Sequence, residues 1–233
     1  MPIFPKKSFG QHWLKSQAVV RKIVDAADLK KTDCVLEIGP GKGVLTEALL
    51  EKSNNVTAVE ADRDLYEFLE EKFGDQVKLI KGDVIKKPNK ELVVSCPCAL
   101  RAKGNKFPGK CDKRYKLVAN LPYNITSAVM AKFLIEEPRP SQMVVMVQRE
   151  VADRITAKPG DMGLLSVVCQ LFADIKKVCH VKPGSFSPPP KVQSTVLRFD
   201  LIPPSKQRIR AHEAEAIIRL AKAGFRNRRK QLH

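Results

Sequence analysis

Short apolar segments alternate with amphipathic helical segments between Asp33 and about Gln148. Buried strands are predicted where mostly apolar residues run together over a few positions, at 34–38, 56–60, 77–80, 116–120 and 143–147. Helices are predicted where apolar residues recur at helical spacing, at 44–52, 65–73 and 126–135, and again from residue 149. This repeated strand-helix order predicts a largely parallel sheet with helices on both faces.

A glycine-rich segment follows the first of these strands, with the sequence Glu37-Ile-Gly39-Pro-Gly41-Lys-Gly43. Ligands of parallel α/β sheets bind beyond the carboxyl ends of the strands, which is where this segment lies. Glycines allow a tight turn and a close approach of the backbone to a ligand, while the start of the next helix offers unpaired N–H donors. The spacing differs from the G-x-G-x-x-G of nicotinamide-dependent enzymes. Any strand-to-helix turn can be rich in glycine, so this motif alone does not distinguish a ligand site from an ordinary turn.

Two acidic residues follow the next two strands and strengthen that interpretation. Glu60 ends the second strand and Asp83 follows the third. A carboxylate at Glu60 can accept from both hydroxyls of a ribose, and Asp83 can accept from the exocyclic amine of adenine, so together they predict a pocket for an adenosine-bearing cofactor. The alternative is that both acids cap helices or turns.

The fourth strand ends in Asn120-Leu121-Pro122-Tyr123. The Asn amide supplies an acceptor and donors, Pro122 fixes the turn, and the Tyr123 ring can stack on a planar base. This combination suits a planar amine better than a hydroxyl or thiol nucleophile. We find no Ser-His-Asp or Cys-His arrangement in the sequence, which disfavours acyl transfer. A simple β-turn would also explain the motif.

The charge of the chain points to a polyanionic partner. The formal net charge is +17, from 42 Lys+Arg against 25 Asp+Glu, and residues 96–116 and 205–233 together hold 13 of these surplus charges. We favour nucleic acid over a membrane because neither segment pairs its charge with a broad apolar face. The alternative is that both segments are solvated surface. The globular composition argues against disorder, and with no signal peptide or spanning segment evident we expect a cytoplasmic protein that does not bind membranes.

The chain resembles the KsgA/RsmA family of ribosomal RNA adenine dimethyltransferases. The resemblance follows the family's order along nearly the whole chain, and the ordered set is more specific than any single motif. It is carried by Lys7-Ser-Phe-Gly-Gln-His-Trp-Leu14, the segment 37–43, Glu60, Gly82-Asp83, Asn120-Leu-Pro-Tyr-Asn-Ile125, Phe186-Ser-Pro-Pro-Pro-Lys-Val-Gln-Ser194 and Phe225-Arg-Asn-Arg-Arg-Lys230.

The resemblance implies a Rossmann-like class I methyltransferase fold, a doubly wound α/β sheet that uses S-adenosylmethionine and releases S-adenosylhomocysteine. It implies that the cofactor is bound by His12, Leu14, Gly39, Gly41, Glu60, Asp83 and Asn120. Asn120 and the carbonyl of Leu121 would accept from the target amine beside Pro122, and Tyr123 and Phe186 would sandwich the target base.

The implied reaction is dimethylation of the exocyclic amine of two adjacent adenines in small-subunit ribosomal RNA, either bare or in an immature subunit. We expect a monomer. One alternative is the related large-subunit methyltransferase that confers macrolide resistance, which is disfavoured because Asn124-Ile125 and the segment 186–194 look more like KsgA. The other alternative is a non-catalytic assembly or transcription factor of the same fold.

Two features depart from the family pattern. The segment between Asp83 and Asn120 is longer than expected and contains Cys96, Cys98 and Cys111, which with His180 could hold zinc; we favour free thiols in an exposed basic loop, with no metal site. The family usually continues beyond Lys230 into a small helical domain. We therefore predict a methyltransferase domain at 1–200 and, at 201–233, the start of a truncated or short helical RNA-binding lobe.

Overall fold

The structure of the protein is a computed structural model that describes residues 3–6, 9–93, 115–206 and 211–226. Most of the basic segment 96–116, with Cys96, Cys98 and Cys111, lies outside these ranges, as do the basic residues after Arg226.

The described part of the chain alternates strands and helices along most of its length. The strands are β1 (Trp13–Leu14), β2 (Cys34–Ile38), β3 (Asn55–Glu60), β4 (Lys78–Lys81), β5 (Tyr115–Asn120), β6 (Gln142–Gln148), β7 (Ala173–Val181), β8 (Phe186–Ser187) and β9 (Ser194–Leu201). The helices are α1 (Gln17–Ala27), α2 (Val44–Leu50), α3 (Arg63–Phe73), α4 (Asn89–Val93), α5 (Thr126–Ile135), α6 (Arg149–Ile155), α7 (Leu164–Phe172) and α8 (Ala211–Arg226).

The main sheet has the order β4-β3-β2-β5-β6-β9-β7. From β4 to β6 all neighbouring strands are parallel, whereas β9 runs antiparallel to both β6 and β7. The chain winds outward from β2 to one edge and then returns to continue from β5 toward the other. The predicted doubly wound, mainly parallel α/β fold is therefore confirmed, and the reversal between β2 and β5 is where such sheets bind ligands.

Two apolar clusters cover the two faces of this sheet. On β5 and β6 the side chains alternate between them: Leu117 and Val145 belong to the cluster under α5, α7 and α8, and Val118 and Val144 to the cluster under α1, α2 and α3. Each of these four side chains is fully buried. Because both faces are covered, the central strands read as continuous apolar runs, which is why the sequence predicted them well.

The antiparallel edge was not predicted from the sequence. β7 exposes Lys176 and Lys177 and has an irregular register between Lys177 and Cys179, so it lacks the uniform apolar character of the central strands. Lysines on an edge strand discourage pairing with another chain.

The last described helix, α8, packs on the main body through Ala214 and Ile218, which are both buried in the cluster that includes α5 and α7. The boundary predicted near residue 200 stays a prediction. Among the residues that the structure describes, no helix is both long and apolar enough to cross a membrane.

Candidate active site

A cavity of about 450 Å³ lies beyond the carboxyl ends of the parallel strands β2, β3, β4 and β5. Every site residue that the sequence analysis selected contributes to its wall. These residues are His12, Leu14, Gly39, Gly41, Glu60, Asp83, Asn120, Leu121, Pro122, Tyr123 and Phe186. The structure thus brings together residues separated by up to 174 positions. Most of them meet because successive parallel strands end at the same edge of the sheet, whereas His12, Leu14 and Phe186 are placed by the separate pairing of β1 with β8.

The glycine loop between β2 and α2 packs against Trp13. Gly41 has a φ of +60°, and a Cβ added there would lie 3.0 Å from Cδ1 of Trp13, so a side chain at position 41 would require the indole ring to move. Lys42 places its Nζ 4.3 Å from the centre of the same indole ring. Gly43 serves packing instead, since a Cβ there would lie 2.5 Å from Cε2 of Phe73.

Glu60 lies almost fully buried in the cavity wall, 6% exposed. Its Oε1 accepts from the backbone N–H of Asp62 at 2.9 Å, and its Oε2 accepts from the N–H of Gly41 at 3.3 Å. Burial raises the pKa of Glu60 above its ordinary value, although these backbone donors favour the charged form. One carboxylate thus joins the glycine loop to the end of β3.

A second buried carboxyl, Glu37 at the end of β2, also lines the cavity. It is 1% exposed, and its Oε2 accepts from Oγ1 of Thr46 at 2.7 Å. Burial, together with a smaller effect of the nearby Glu60, raises the pKa of Glu37 to about 8. Glu37 is therefore protonated at neutral pH.

Asp83 stabilises a turn, which is one of the two roles that its sequence position allowed. Its Oδ1 accepts from the backbone N–H of Ile85 at 2.9 Å and so stabilises the turn after β4. The residue is also part of the cavity wall. A carboxylate has acceptor sites to spare after one such bond, so stabilising a turn does not prevent it from binding a ligand.

Asn120 is oriented by the N-terminal segment. Its Nδ2 donates to the backbone carbonyl of His12 at 3.2 Å, which leaves Oδ1 as the acceptor of the amide group. Leu121, the next residue, is 1% exposed. Pro122 lies against Gly39, since a Cβ added to that glycine would be 3.7 Å from Cδ of the proline.

The ring of Tyr123 is held from two sides. Its hydroxyl shares a 2.8 Å hydrogen bond with Oγ of Ser194, and its ring stacks with His12 at a centroid distance of 5.7 Å. Nδ1 of His12 donates to the carbonyl of Pro188 at 2.9 Å. Burial raises the pKa of Tyr123 above its ordinary value, so its hydroxyl stays neutral.

Phe186 lines the same cavity but is 1% exposed, in β8, and it pairs through its backbone with Leu14 of β1. The aromatic ring against Tyr123 in this structure is that of His12. A base sandwiched between Tyr123 and Phe186 therefore stays a prediction.

Several residues near the cavity were missed as site residues by the sequence analysis, notably Gln11, Trp13, Lys42 and Asp62. Asp62 had a usable signal, because an Asp directly before an amphipathic helix is typical of an N-cap, and its side chain accepts from the N–H of Asp64. Trp13 had none, since its role depends on the packing of β1 against the glycine loop.

No group of three or more His, Cys, Asp or Glu side chains suited to a metal ion occurs within the described ranges. His180, the suggested fourth zinc ligand, shares a 3.0 Å hydrogen bond between its Nδ1 and Oγ1 of Thr195. The three cysteines proposed with it lie outside those ranges.

Comparison with known proteins gives consistent matches over nearly the whole chain. The family model described as ribosomal RNA adenine dimethylase matches residues 5–233. A protein of Dehalococcoides mccartyi named ribosomal RNA small subunit methyltransferase A is 44% identical over 97% of this chain and 72% of its own length. Its namesake from Syntrophotalea carbinolica is 41% identical over 98% of this chain and 80% of its own length.

The fold is similar to a solved structure as well. The crystal structure of a dimethyladenosine transferase from Plasmodium falciparum superposes with a TM-score of 0.72 at 28% sequence identity. The match covers 95% of this chain and 74% of that one.

Proposed function

The chain belongs to the ribosomal RNA adenine dimethylase family, and on that basis we propose that its cavity binds S-adenosylmethionine beside an adenine of small-subunit ribosomal RNA. The protein is an adenine dimethyltransferase. The single observation that supports the proposed site best is that four successive strand ends place a glycine loop, two carboxylates and Asn120-Leu-Pro-Tyr123 around one cavity.

The residues present fit such a cofactor. Trp13 keeps an indole N–H without a hydrogen-bond acceptor among the described residues, and the glycine loop lacks side chains where a ligand must approach. We assign Glu60 to the ribose hydroxyls, Asp83 to the adenine amine, and the backbone near Gly39 and Gly41 to the methionine part. When bound, S-adenosylmethionine supplies an electrophilic methyl group on a positively charged sulfur.

The residues of the protein have to align the target amine with the methyl group. Asn120 is fixed by its bond to His12, so its Oδ1 is available to accept from the target amine together with the carbonyl of Leu121. These acceptors hold the amine in place and stabilise the positive charge that develops on nitrogen. Tyr123, neutral and held by Ser194, offers a ring for stacking rather than a base. A second methylation uses the same groups if the site admits one methyl on the amine.

We propose small-subunit RNA as the substrate because of the names of the matched relatives. Both matched bacterial proteins are named for the small ribosomal subunit, which favours this substrate over large-subunit RNA. The intact set of acids and the complete Asn120–Tyr123 motif favour catalysis over binding alone. We further propose that two adjacent adenines are each dimethylated, and that the enzyme acts as a cytoplasmic monomer on bare RNA or on immature small subunits.

The test is methyl transfer from labelled S-adenosylmethionine to unmethylated small subunits, bare small-subunit RNA and large-subunit RNA, with nucleoside analysis of the product. We expect dimethyladenosine in small-subunit RNA, and primer extension should stop at two neighbouring adenines. Asn120→Ala provides the inactive control. Transfer only to large-subunit RNA, or cofactor binding with no transfer to any RNA, would contradict the proposal.

A further inference from the structure

Part of the cavity wall is a short N-terminal strap, residues 9–14, and every one of its residues lines the cavity. The strap lies outside the α-helices and outside the main sheet. Among the described strands, only the two-residue strand β8 pairs with its last two residues, Trp13 and Leu14. Because so little regular structure supports this wall, other contacts must hold it in place.

Asp62 supplies two of those contacts from the start of α3, in addition to the hydrogen bonds that His12 makes with Asn120 and Pro188. Its Oδ1 accepts from Nζ of Lys6 at 2.6 Å, and its Oδ2 accepts from Nε2 of Gln11 at 2.9 Å. Gln11 is itself held by Lys6, whose backbone N–H donates to its Oε1 at 2.8 Å. Lys6 also contacts Asp64 at 2.8 Å, but that carboxylate is 59% exposed and so contributes less.

The Asp62 side chain is fully buried and so is shielded from water, whereas the Lys6 side chain is 39% exposed. Burial disfavours its charge, yet the hydrogen bonds from Lys6 and Gln11 keep the pKa of Asp62 below its ordinary value. Its backbone N–H meanwhile binds Glu60. One residue therefore joins the proposed ribose-binding acid to the strap, and both line the same cavity.

We propose that Asp62 is a positioning residue that, through Lys6 and Gln11, holds the strap against the bound cofactor and sets how slowly the cofactor leaves. This inference rests on the proposed function, because it takes S-adenosylmethionine and S-adenosylhomocysteine as the occupants. In this proposal the cavity is exposed when the strap opens. When the strap closes, Asp62 again binds Lys6, 56 positions away, and Gln11, 51 positions away.

The chain contains one tryptophan, Trp13, and it lies in the strap, so its fluorescence reports on the strap directly. We would measure the dissociation of S-adenosylhomocysteine by stopped-flow fluorescence for wild type, Asp62→Asn and Lys6→Met. In Asp62→Asn the side chain can still cap α3, but its amide N–H₂ faces either Lys6 or Gln11, and a donor cannot accept the hydrogen bond from that residue. Lys15→Met, at the exposed lysine directly after the strap, is the matched control.

Both network variants should release S-adenosylhomocysteine about tenfold faster than wild type, whereas Lys15→Met should match wild type. Lys6→Arg keeps the charge and should restore most of the slow release. With RNA substrate, KM for S-adenosylmethionine should rise while kcat stays within about twofold. In the protein without ligand, acrylamide should quench Trp13 more strongly in both network variants.

Two outcomes separate this inference from the function on which it rests. If wild type binds S-adenosylhomocysteine but the network variants release it at the wild-type rate, Asp62 does not position the strap and the inference is wrong. If wild type binds no S-adenosylhomocysteine, the proposed function fails, and the inference fails with it. Should Asp62→Asn not fold, Lys6→Met alone decides between these results, because Lys6 is partly exposed and caps no helix.

Discussion

Replacing Glu60 by Ala should weaken the binding of S-adenosylhomocysteine by a factor of about 10² to 10⁴. Each carboxylate oxygen already accepts one backbone N–H, from Gly41 and from Asp62, and a carboxylate oxygen has room for about two donors. One acceptor site per oxygen therefore remains, which matches two ribose hydroxyls. At ~1.5 to 3 kcal/mol for each hydrogen bond to a charged group, the pair contributes ~3 to 6 kcal/mol.

Glu60→Gln separates the ligand contact from the support of the loop. Its carbonyl can still accept from Asp62, so the affinity should lie between those of wild type and Glu60→Ala. Isothermal titration with S-adenosylhomocysteine and with its 2′-deoxy analogue completes the comparison. Wild type should bind the deoxy analogue more weakly than the parent ligand, whereas Glu60→Ala should bind the two equally.

The assignment is refuted if a folded Glu60→Ala protein retains wild-type affinity. It is also refuted if the deoxy analogue loses as much affinity with Glu60→Ala as with wild type, because the lost hydroxyl contact would then belong to another residue. RNA binding should be unchanged in both variants and serves as the control for a correctly folded protein.

Three further predictions concern the same loop and motif. Asn120→Ala should lower methyl transfer on the order of a hundredfold while cofactor affinity falls much less, and single-turnover assays within about twofold of wild type would place the reacting amine elsewhere. Gly43→Ala should lower the free energy of unfolding by ~2 to 6 kcal/mol, because a φ of +79° adds backbone strain to the clash with Phe73. Gly74 has a φ of +49° and open space around it, so Gly74→Ala should be destabilised by backbone strain alone. Equal denaturation midpoints for the two variants would contradict this prediction. The stabilising contribution of neutral Glu37 is fully present below about pH 4.5 and is lost as the pH rises to about 8. Between these pH values, Tm should therefore fall more for wild type than for Glu37→Gln. Parallel Tm profiles would show that Glu37 does not titrate in this range.

Most of the candidate site could be predicted from the sequence because its chemistry is local. A strand followed by glycines, or by an acid, carries its own signal, and parallel strands bring those signals to one edge of the sheet. Glu60 and Asp83 illustrate the limit of this reasoning. Their positions suggested either ligand binding or the capping of turns, and the structure has both acids accepting local backbone N–H groups while lining the cavity.

The sequence by itself determined the doubly wound α/β core, since continuous apolar strands and periodic helices follow from burial on both sheet faces. It also determined which strand ends carry polar groups. The antiparallel strands β7 and β9 were decided only in three dimensions. β7 has exposed lysines and a mixed polarity that resembles a loop, and the place of β9 in the sheet depends on its pairing with both β6 and β7.

Only the tertiary structure determined how the N-terminal strap meets the rest of the site. The contact between Lys6 and Asp62 spans 56 positions, and that between Tyr123 and Ser194 spans 71. The pKa of Glu37 likewise depends on burial by elements distant along the chain. Such contacts leave no periodic pattern in the sequence, because a single hydrogen bond between distant residues constrains only two positions. The sequence therefore specified the groups that can bind a cofactor, and the packing of the folded chain decided which residues hold those groups in place.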